Sequence, residues 1–323
     1  MLAPLVLERR LDSRLWGGTT LGPWLGLTNP PPQLAESWQV YEHNRVTHGP
    51  HMGETLGALA RAYGSALLGR TSYARHGAEF PLLAKFLDAA DHLSIQVHPD
   101  DTYAHTVEAA SGFHGKTEAW YILRAADGAG VYHGMRAATS RTAFAAAIAD
   151  GTVLDLLRLI PVAAGDTIFV AAGTVHAINA GVMLFEIQQK SDLTYRVYDY
   201  QRRDATGALR ELHLDRALDV SDYQAAPAAI IAPQPIAAGR ELLVECPYFR
   251  MERWQATGTP LMATTTGETF ALLTIIAGDC QLTAGGTEID LPRGSSAVLP
   301  ANLGAYTLET TAAAQMLVCS VPG

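Results

Sequence analysis

Cysteine is scarce in this chain. Only three cysteines occur among 323 residues, and Cys246, Cys280 and Cys319 all lie in the last quarter without regular spacing. An odd number at irregular intervals argues against both a disulfide framework and a zinc site built from thiolates. We therefore expect three buried thiols that pack as small apolar side chains.

Positive charge is also in short supply. The chain has 23 Lys and Arg against 32 Asp and Glu, which gives a formal net charge of −9 at pH 7. An acidic total argues against broad binding to nucleic acids or to anionic membranes. An anionic substrate would need a local cluster of positive side chains that works against this global field.

Long apolar runs are absent as well. No run reaches the roughly 18 residues of a membrane-spanning helix. Residues 1–12 lack the basic start, apolar stretch and small-residue cleavage site of a signal peptide, so we expect a soluble cytoplasmic protein. With 48% apolar and 17% charged residues, the chain can build a sizeable core, and its length suggests two domains.

Alternation of apolar and polar residues predicts a mainly β protein with a few short helices in its N-terminal part. Residues 81–92 fit either a strand or a helix. The predicted strands are 35–43, 93–98, 116–123, 166–178 and 181–200, and the predicted helices are 51–68, 101–110 and 139–162.

Residues 224–239 are rich in Ala and Pro, carry no charge and form the best candidate linker. We expect a domain of residues 1–223 before it and a second domain of residues 240–323 after it. In the second domain, turn signals recur every eight to twelve residues, which is typical of a β sandwich or barrel.

Two segments of the chain resemble each other. Residues 161–178 and 292–306 each combine a Pro- and Gly-containing turn, an alternating strand and a small-residue turn. The first copy leads to His176 and the second contains no histidine. We call this similarity the internal repeat. It suggests two related β domains, the second without metal chemistry.

Histidine is confined to residues 43–213, so any metal ligands should be imidazole and carboxylate groups of the first two thirds. Gln96 and His98 share one face of a predicted strand, because strand side chains alternate. With Glu118 and His176 they offer nitrogen and oxygen ligands suited to Zn²⁺, Fe²⁺ or Mn²⁺. The alternative is that these histidines are hydrogen-bonded structural residues.

A second candidate constellation is the polar run 186–204. It predicts either a solvated edge strand or the wall of a cleft for an anionic substrate, in which Arg and Lys supply local positive charge. Its charged residues include Glu186, Lys190, Asp192, Arg196, Arg202 and Arg203.

Taken together, these motifs resemble the short bacterial form of type I mannose-6-phosphate isomerase. The resemblance covers most of residues 10–210 and, more loosely, the chain to its end. The longer members' RAG-type substrate loop is replaced by residues 196–200, so their phosphate contacts do not carry over. The segments concerned are RLWGG, AESW, LSIQVHPDD, GKTEAWYIL, AGTVHAI and the run from EIQQ to YDYQRRD.

The resemblance implies a fold of two jelly-roll, or cupin, β-barrels and one Zn²⁺ ion per chain. It implies a phosphosugar substrate, with mannose 6-phosphate and fructose 6-phosphate interconverted. It also implies roles for particular residues. Gln96, His98, Glu118 and His176 would hold the metal, Arg196 would be the catalytic arginine, and Ser94, Lys116, Glu186 and Asp192 would line the cleft.

An aldose–ketose isomerase moves a proton between C2 and C1 through a cis-enediolate. Zinc can polarise the sugar oxygens without redox chemistry, and Arg196 would add fixed positive charge beside them. The proton carrier is Glu186, Asp192, Lys116 or a water activated by the metal. Lys116 and Arg202 are candidate phosphate contacts, and Arg203 is another.

Two other functions compete with the isomerase. A non-catalytic cupin that binds sugars or sugar phosphates would not need both Arg196 and Lys116. An iron dioxygenase would usually carry more histidine ligands, whereas Gln96 occupies one of those positions. Metal analysis would separate the classes, since zinc supports an isomerase and iron an oxygenase.

Overall fold

The computed structural model describes residues 2–203 and 207–323, so Asp204, the end of the polar run, lies outside the described residues. The prediction of a mainly β protein with few helices is confirmed, because every α-helix has nine residues or fewer. The helices are α1 Leu21–Trp24, α2 Leu56–Tyr63, α3 Ser65–Leu68, α4 Arg70–His76, α5 Asp101–Thr106, α6 Arg141–Ala149 and α7 Leu214–Val220, with short 3₁₀ turns at Ala109–Ser111 and Val153–Leu156.

Strands make up most of the remaining structure. The first twelve are β1 Leu5–Val6, β2 Arg10–Gly18, β3 Leu34–Val40, β4 Leu82–Ala89, β5 Ile95–Val97, β6 Glu118–Ala125, β7 Gly130–Met135, β8 Leu157–Pro161, β9 Thr167–Val170, β10 His176–Ile178, β11 Val182–Gln189 and β12 Tyr195–Tyr198. The others are β13 Ile230–Ile231, β14 Gln234–Ala237, β15 Arg240–Glu245, β16 Arg250–Thr257, β17 Leu261–Thr264, β18 Ala271–Ala277, β19 Cys280–Ala284, β20 Thr287–Leu291, β21 Ser296–Leu299, β22 Ala305–Glu309 and β23 Ala313–Ser320.

The strands form four antiparallel sheets in two pairs. The first pair has the orders β13-β9-β6-β11-β4-β2-β3 and β12-β5-β10-β7-β8. The second pair has the orders β1-β21-β18-β23-β16-β15-β14 and β17-β22-β19-β20. In the described part of the chain each sheet is open at both edges, so the expected closed barrels are not confirmed.

The two segments of the internal repeat occupy equivalent places in the two pairs of sheets. Strand β9 of the first copy and strand β21 of the second each lie second from the edge of a seven-stranded sheet. Strands β10 and β22, which follow them, each belong to the smaller sheet of the same pair. The pattern in the sequence therefore reflects a repeated arrangement of strands.

The largest core cluster joins the two pairs of sheets. From the first pair it contains Phe86, Phe185 and, just before β4, Phe80. From the second pair it contains Leu317 and, just before β18, Phe270. The rings of Phe80 and Phe270 lie 4.6 Å apart. Strand β1 also pairs with β21, so the N-terminus lies in the second pair although it precedes the first in sequence.

Three predicted helices are shorter than expected, and the one predicted for 101–110 ends at Thr106. In the segment 51–68 the helix begins after Thr55, whose side chain accepts a hydrogen bond from the Ala58 amide, and Gly64 at φ 48° separates α2 from α3. In the segment 139–162 the helical prediction is wrong for residues 157–161, which form β8. They continue the small sheet beside β7 because that edge supplies backbone partners.

The Ala- and Pro-rich segment 224–239 holds two short strands. Strand β13 pairs with β9 of the first pair, and β14 pairs with β15 of the second. The segment thus passes from one pair of sheets to the other. The domain limits at 223 and 240 stay a prediction.

The cysteine prediction is largely confirmed. All three are free thiols, with Cys280 and Cys319 buried and Cys246 half-buried. Burial raises the pKa of the Cys280 thiol to about 11, as expected for a thiol in apolar surroundings. None of the described helices is long and apolar enough to span a membrane.

Candidate metal centre and active-site pocket

Four predicted ligands meet between the two sheets of the first pair. Gln96 on β5 is opposite His176 on β10 in the cross-strand register, and His98 follows β5 directly. Glu118 begins β6 in the facing sheet. Alternation puts Gln96 and His98 on one face, and sheet packing brings Glu118 against them.

The distances within this group suit a metal ion. His176 Nε2 lies 3.3 Å from Glu118 Oε1, and His98 Nε2 lies 3.7 Å from Glu118 Oε2. Zinc bonds of about 2.0–2.2 Å in a tetrahedral site imply a separation of roughly 3.3 Å between neighbouring donor atoms. The three side chains are at most 1% exposed. We call His98, Glu118 and His176 the buried cluster.

Backbone carbonyls orient both imidazoles. His98 Nδ1 donates to the Leu193 carbonyl at 2.7 Å, and His176 Nδ1 donates to the Thr174 carbonyl at 2.8 Å. Each Nε2 is left as the lone-pair nitrogen on the side of Glu118, which is how outer partners usually prepare metal-binding histidines. Burial lowers the pKa of His98 well below its ordinary value and that of His176 to about 3, so both rings are neutral.

Gln96 completes the group with an amide. Its Nε2 lies 3.2 Å from His176 Nε2. Turning the amide by half a rotation presents Oε1 to the same place, and a carbonyl oxygen is the end of this side chain that can ligate a metal.

The donors pass a second test of fit. Both oxygens of Glu118 are buried and accept no hydrogen bond from the described residues. The nearest cation is the Lys116 ammonium, 2.6 Å from Glu118 Oε2 and 3.1 Å from His98 Nε2. A buried carboxylate without hydrogen bonds is costly unless a cation compensates it, and two neutral imidazoles beside it match the ligand preference of zinc.

A pocket of about 320 Å³ adjoins the buried cluster, because Gln96 and Lys116 both line the pocket and contact cluster side chains. Five cationic and three acidic side chains line it, so its wall is locally positive in a chain of net charge −9. The sequence motifs predicted part of this lining. The lining residues are Arg14, Trp16, Glu36, Trp38, Lys85, Leu87, Leu93, Ser94, Gln96, Lys116, Ile178, Glu186, Asp192, Thr194, Arg196 and Arg210.

Buried charges alternate along one wall of this pocket. Lys85 Nζ lies 3.2 Å from Glu36 Oε2 and 3.4 Å from Glu186 Oε1. Glu186 Oε1 is 3.7 Å from Lys116, which pairs with Glu118. Burial by itself lowers the pKa of Lys85, but Glu186 and then Glu36 outweigh it and raise the pKa above its ordinary value. The wall is thus a row of ion pairs that shield one another.

Replacement of Lys85 tests how this row stabilises the fold. Lys85→Met leaves Glu36 and Glu186 facing each other without their shared cation, so we expect the free energy of unfolding to fall by about 3–5 kcal/mol. Urea denaturation measures the change. The double variant Lys85→Met with Glu36→Gln should recover part of it, and a loss below about 1 kcal/mol in the single variant would contradict the assigned role.

Five of the predicted catalytic or substrate-binding residues and the predicted metal ligand Gln96 line the same pocket. These are Ser94, Gln96, Lys116, Glu186, Asp192 and Arg196. Arg196 is opposite Gln96 across β12 and β5, donates from Nη1 to the Glu211 carbonyl at 2.7 Å, and keeps a buried Nε with no partner among the described residues.

Two predicted arginines lie elsewhere. Arg202 is not among the pocket-lining residues, and it pairs with Asp199 and with Asp91 instead. The Arg203 side chain donates to the Gly207 carbonyl at 2.7 Å. Their roles in substrate binding stay predictions, without a place in the pocket wall to support them.

Sequence reasoning missed three cations of the pocket. Arg14 belongs to the RLWGG motif, so that motif was an available signal. Lys85 shares one face of β4 with Leu83 and Leu87, and a charge on an otherwise apolar strand face is a second signal. Arg210 has no comparable pattern around it.

A buried His–Glu–His cluster beside a charged pocket, between two antiparallel sheets, fits a cupin-type metal site. Family models agree with this class. The family model described as "Phosphomannose isomerase type I, catalytic domain" matches residues 5–121. The family model described as "Mannose-6-phosphate isomerase, cupin domain" matches residues 240–319.

Individual relatives extend over nearly the whole chain. Mannose-6-phosphate isomerase ManA of Bacillus subtilis is 36% identical over 312 residues, 95% of this chain and 96% of the relative. The crystal structure of a B. subtilis mannose 6-phosphate isomerase superimposes with a TM-score of 0.88 at 32% identity, covering 98% of this chain and 99% of that one. The chain belongs to the type I mannose-6-phosphate isomerase family.

A more distant structure shares the fold. It is a zinc-bound mannose 6-phosphate isomerase with a TM-score of 0.77 and 18% identity, covering 98% of this chain and 99% of that one. At this identity the likeness concerns the fold alone, and the zinc belongs to that protein.

Proposed function

We propose that this protein interconverts mannose 6-phosphate and fructose 6-phosphate by proton transfer, with one zinc ion per chain held by Gln96, His98, Glu118 and His176. The observation that carries the proposal is the buried cluster beside a positively lined pocket, with Gln96 and Lys116 belonging to the pocket wall and contacting the cluster. The activity named for the relatives supports the choice of substrate.

Bound zinc would supply a redox-silent Lewis acid that polarises the sugar oxygens. Arg196 donates to the oxygen on which charge develops in the cis-enediolate, and its unpartnered Nε is a donor available for this bond. Lys116 lies between Glu118 and Glu186. Its ammonium can therefore leave the metal-binding carboxylate and pair with Glu186 while substrate and metal are bound.

Glu186 is the proton carrier in this proposal. Its Oε2 accepts a hydrogen bond from the Trp120 indole at 3.0 Å, which holds the carboxylate in place. Its Oε1 is buried and accepts no hydrogen bond from the described residues, and the Glu186 side chain lines the pocket. Asp192 also lines the pocket but is exposed to water, so its surroundings shield a reacting proton less well.

Arg14 and Arg210 form the phosphate end of the pocket. Both also line an adjoining surface pocket, so they lie together at the mouth. Arg210 pairs with Asp199 at 3.3 Å, and Arg14 pairs with Asp12 at 3.4 Å and with Glu36 at 3.5 Å, so all three contacts are long for ion pairs. Two guanidinium groups at a mouth suit a dianionic phosphate that stays partly in solvent.

The two pairs of sheets support a division into two cupin-type domains. Residues 1–223 would form the metal-bearing domain, 224–239 the connection and 240–323 a domain without metal chemistry. The matching places of β9 and β21 support this division, although β1 adds to the second pair of sheets.

A coupled assay of fructose 6-phosphate formation from mannose 6-phosphate tests the proposal. Removal of the metal with a chelator should abolish turnover, and added zinc should restore it. In deuterated water the product should carry deuterium, because a proton carrier exchanges with solvent. The Glu186→Gln variant should lose both turnover and label, whereas Asp192→Asn should keep both.

The assay also separates the competing functions. Turnover that survives complete metal removal would contradict a metal-dependent isomerase. A cluster of two histidines and one carboxylate is also the ligand set of many iron(II) oxygenases. Iron in protein purified without added metal, together with absent isomerase turnover, would favour that class.

A further inference from the structure

A second group of metal-ligating side chains lies on the surface, outside the centre described above. Asp101 and His105 are four residues apart on α5 and therefore share one face of that helix. His114 lies on the chain that returns toward Lys116. One ligand atom from each of the three residues falls within 4.8 Å of the other two.

Glu79 orients the imidazole of His114. His114 Nε2 lies 3.1 Å from Glu79 Oε2, and Glu79 also pairs with Lys190. At this distance the Glu79 carboxylate accepts the hydrogen bond that His114 Nε2 donates. Nδ1 of His114 is then a lone-pair nitrogen, and it faces His105 Nε2 at 2.9 Å. A carboxylate behind a histidine is the usual support of a metal ligand.

Asp101 is held in place by the backbone that carries His114. Its Oδ1 accepts from the Gly115 amide at 2.9 Å and from Gln189 Nε2 at 3.0 Å. These bonds fix the returning chain against α5, so two of the three ligands are positioned before any ion arrives. His105 is exposed and the other two are half-buried, which leaves the group open to ions from solvent.

We propose that Asp101, His105 and His114 form a second zinc site, separate from the catalytic one. Two imidazoles and one carboxylate are ligands that zinc favours over magnesium or calcium. The two facing nitrogens are slightly closer than the roughly 3.3 Å edge of a tetrahedral zinc site. A small rotation of the exposed His105 opens that gap, and water completes the coordination. The ion would join the end of α5 to the loop that leads into Lys116.

Zinc titration of protein whose catalytic site is already filled tests the proposal, with calorimetry or equilibrium dialysis as the measurement and zinc alone as the probe. Wild type should take up one further equivalent. His105→Ala should weaken that uptake by more than about tenfold, and His114→Gln should do the same. His43→Ala, at an exposed histidine outside both groups, should bind like wild type.

This design tests the catalytic zinc site and the surface zinc site independently. His98→Ala should lose the catalytic zinc and keep the surface zinc, so failure of the proposed function leaves the surface site testable. The proposal is overturned if wild type takes up no second equivalent. It is equally overturned if His105→Ala and His114→Gln bind that equivalent as tightly as His43→Ala does.

Discussion

Arg196→Ala should lower kcat by roughly a hundred- to a thousand-fold while the protein keeps its zinc and its fold. Arg196 lines the pocket beside Gln96, yet its side chain does not belong to the buried cluster. Removal of its guanidinium therefore takes away a donor aimed at developing charge without removing a metal ligand. Steady-state kinetics and metal analysis of the same sample measure both quantities.

Two further variants sharpen this expectation. Arg196→Lys keeps the charge but not the planar set of donors, so it should recover only part of the lost turnover. Arg61→Ala, at an exposed position on α2, controls for the loss of any arginine. Turnover of Arg196→Ala within a few-fold of wild type would remove Arg196 from the mechanism.

His98→Ala and His176→Ala should each lose the catalytic zinc and, with it, turnover. Loss of an outer partner of a metal ligand already costs 10–100-fold in affinity or activity, so loss of a ligand should leave less than about one hundredth of wild-type activity. Each substitution also leaves the Glu118 carboxylate buried with fewer partners. Metal content measured after dialysis against a weak chelator gives the direct result.

A nearby histidine supplies the matched control. His92 is exposed and lies outside the buried cluster, so His92→Ala should keep its zinc and its turnover. Circular dichroism shows whether the ligand variants remain folded. Full zinc occupancy in folded His98→Ala and His176→Ala would contradict the assignment of both ligands.

The acidic total charge and an anionic substrate are compatible because the fold segregates charge. Lys116 and Arg196 meet in the pocket, as the sequence led us to expect. Their companions there are Arg14, Lys85 and Arg210 rather than Arg202 and Arg203. Local potential near a site depends on which charges converge, and net charge sets only the background.

Several features of the candidate site could be predicted from local pattern. Strand alternation puts Gln96 and His98 on one face, and Lys116 and Glu118 likewise, because side chains repeat every two residues. The confinement of histidine to the first two thirds indicated where a metal could bind. Family motifs then connected these segments across about eighty residues, which no local pattern does.

Other features depend on contacts between distant segments. Lys85, Glu186 and Trp120 form a row because β4, β11 and β6 pair in one register, and strand register follows from the whole sheet. Residues 157–161 form β8 although their preceding pattern is helical, because β7 offers them backbone partners. The position of Arg210 likewise depends on where a loop packs.

By itself, the sequence determined the residue types and local spacing of the candidate metal ligands and the mainly β character of the chain. It also determined where the internal repeat lies. Periodicity and composition act over a few residues, and they are legible without coordinates. Only the tertiary structure decided which cations line the pocket beside the candidate metal site, how Leu193 orients the His98 imidazole, and that Asp101 meets His114. These are contacts between segments far apart in sequence, and they exist only once the sheets have packed.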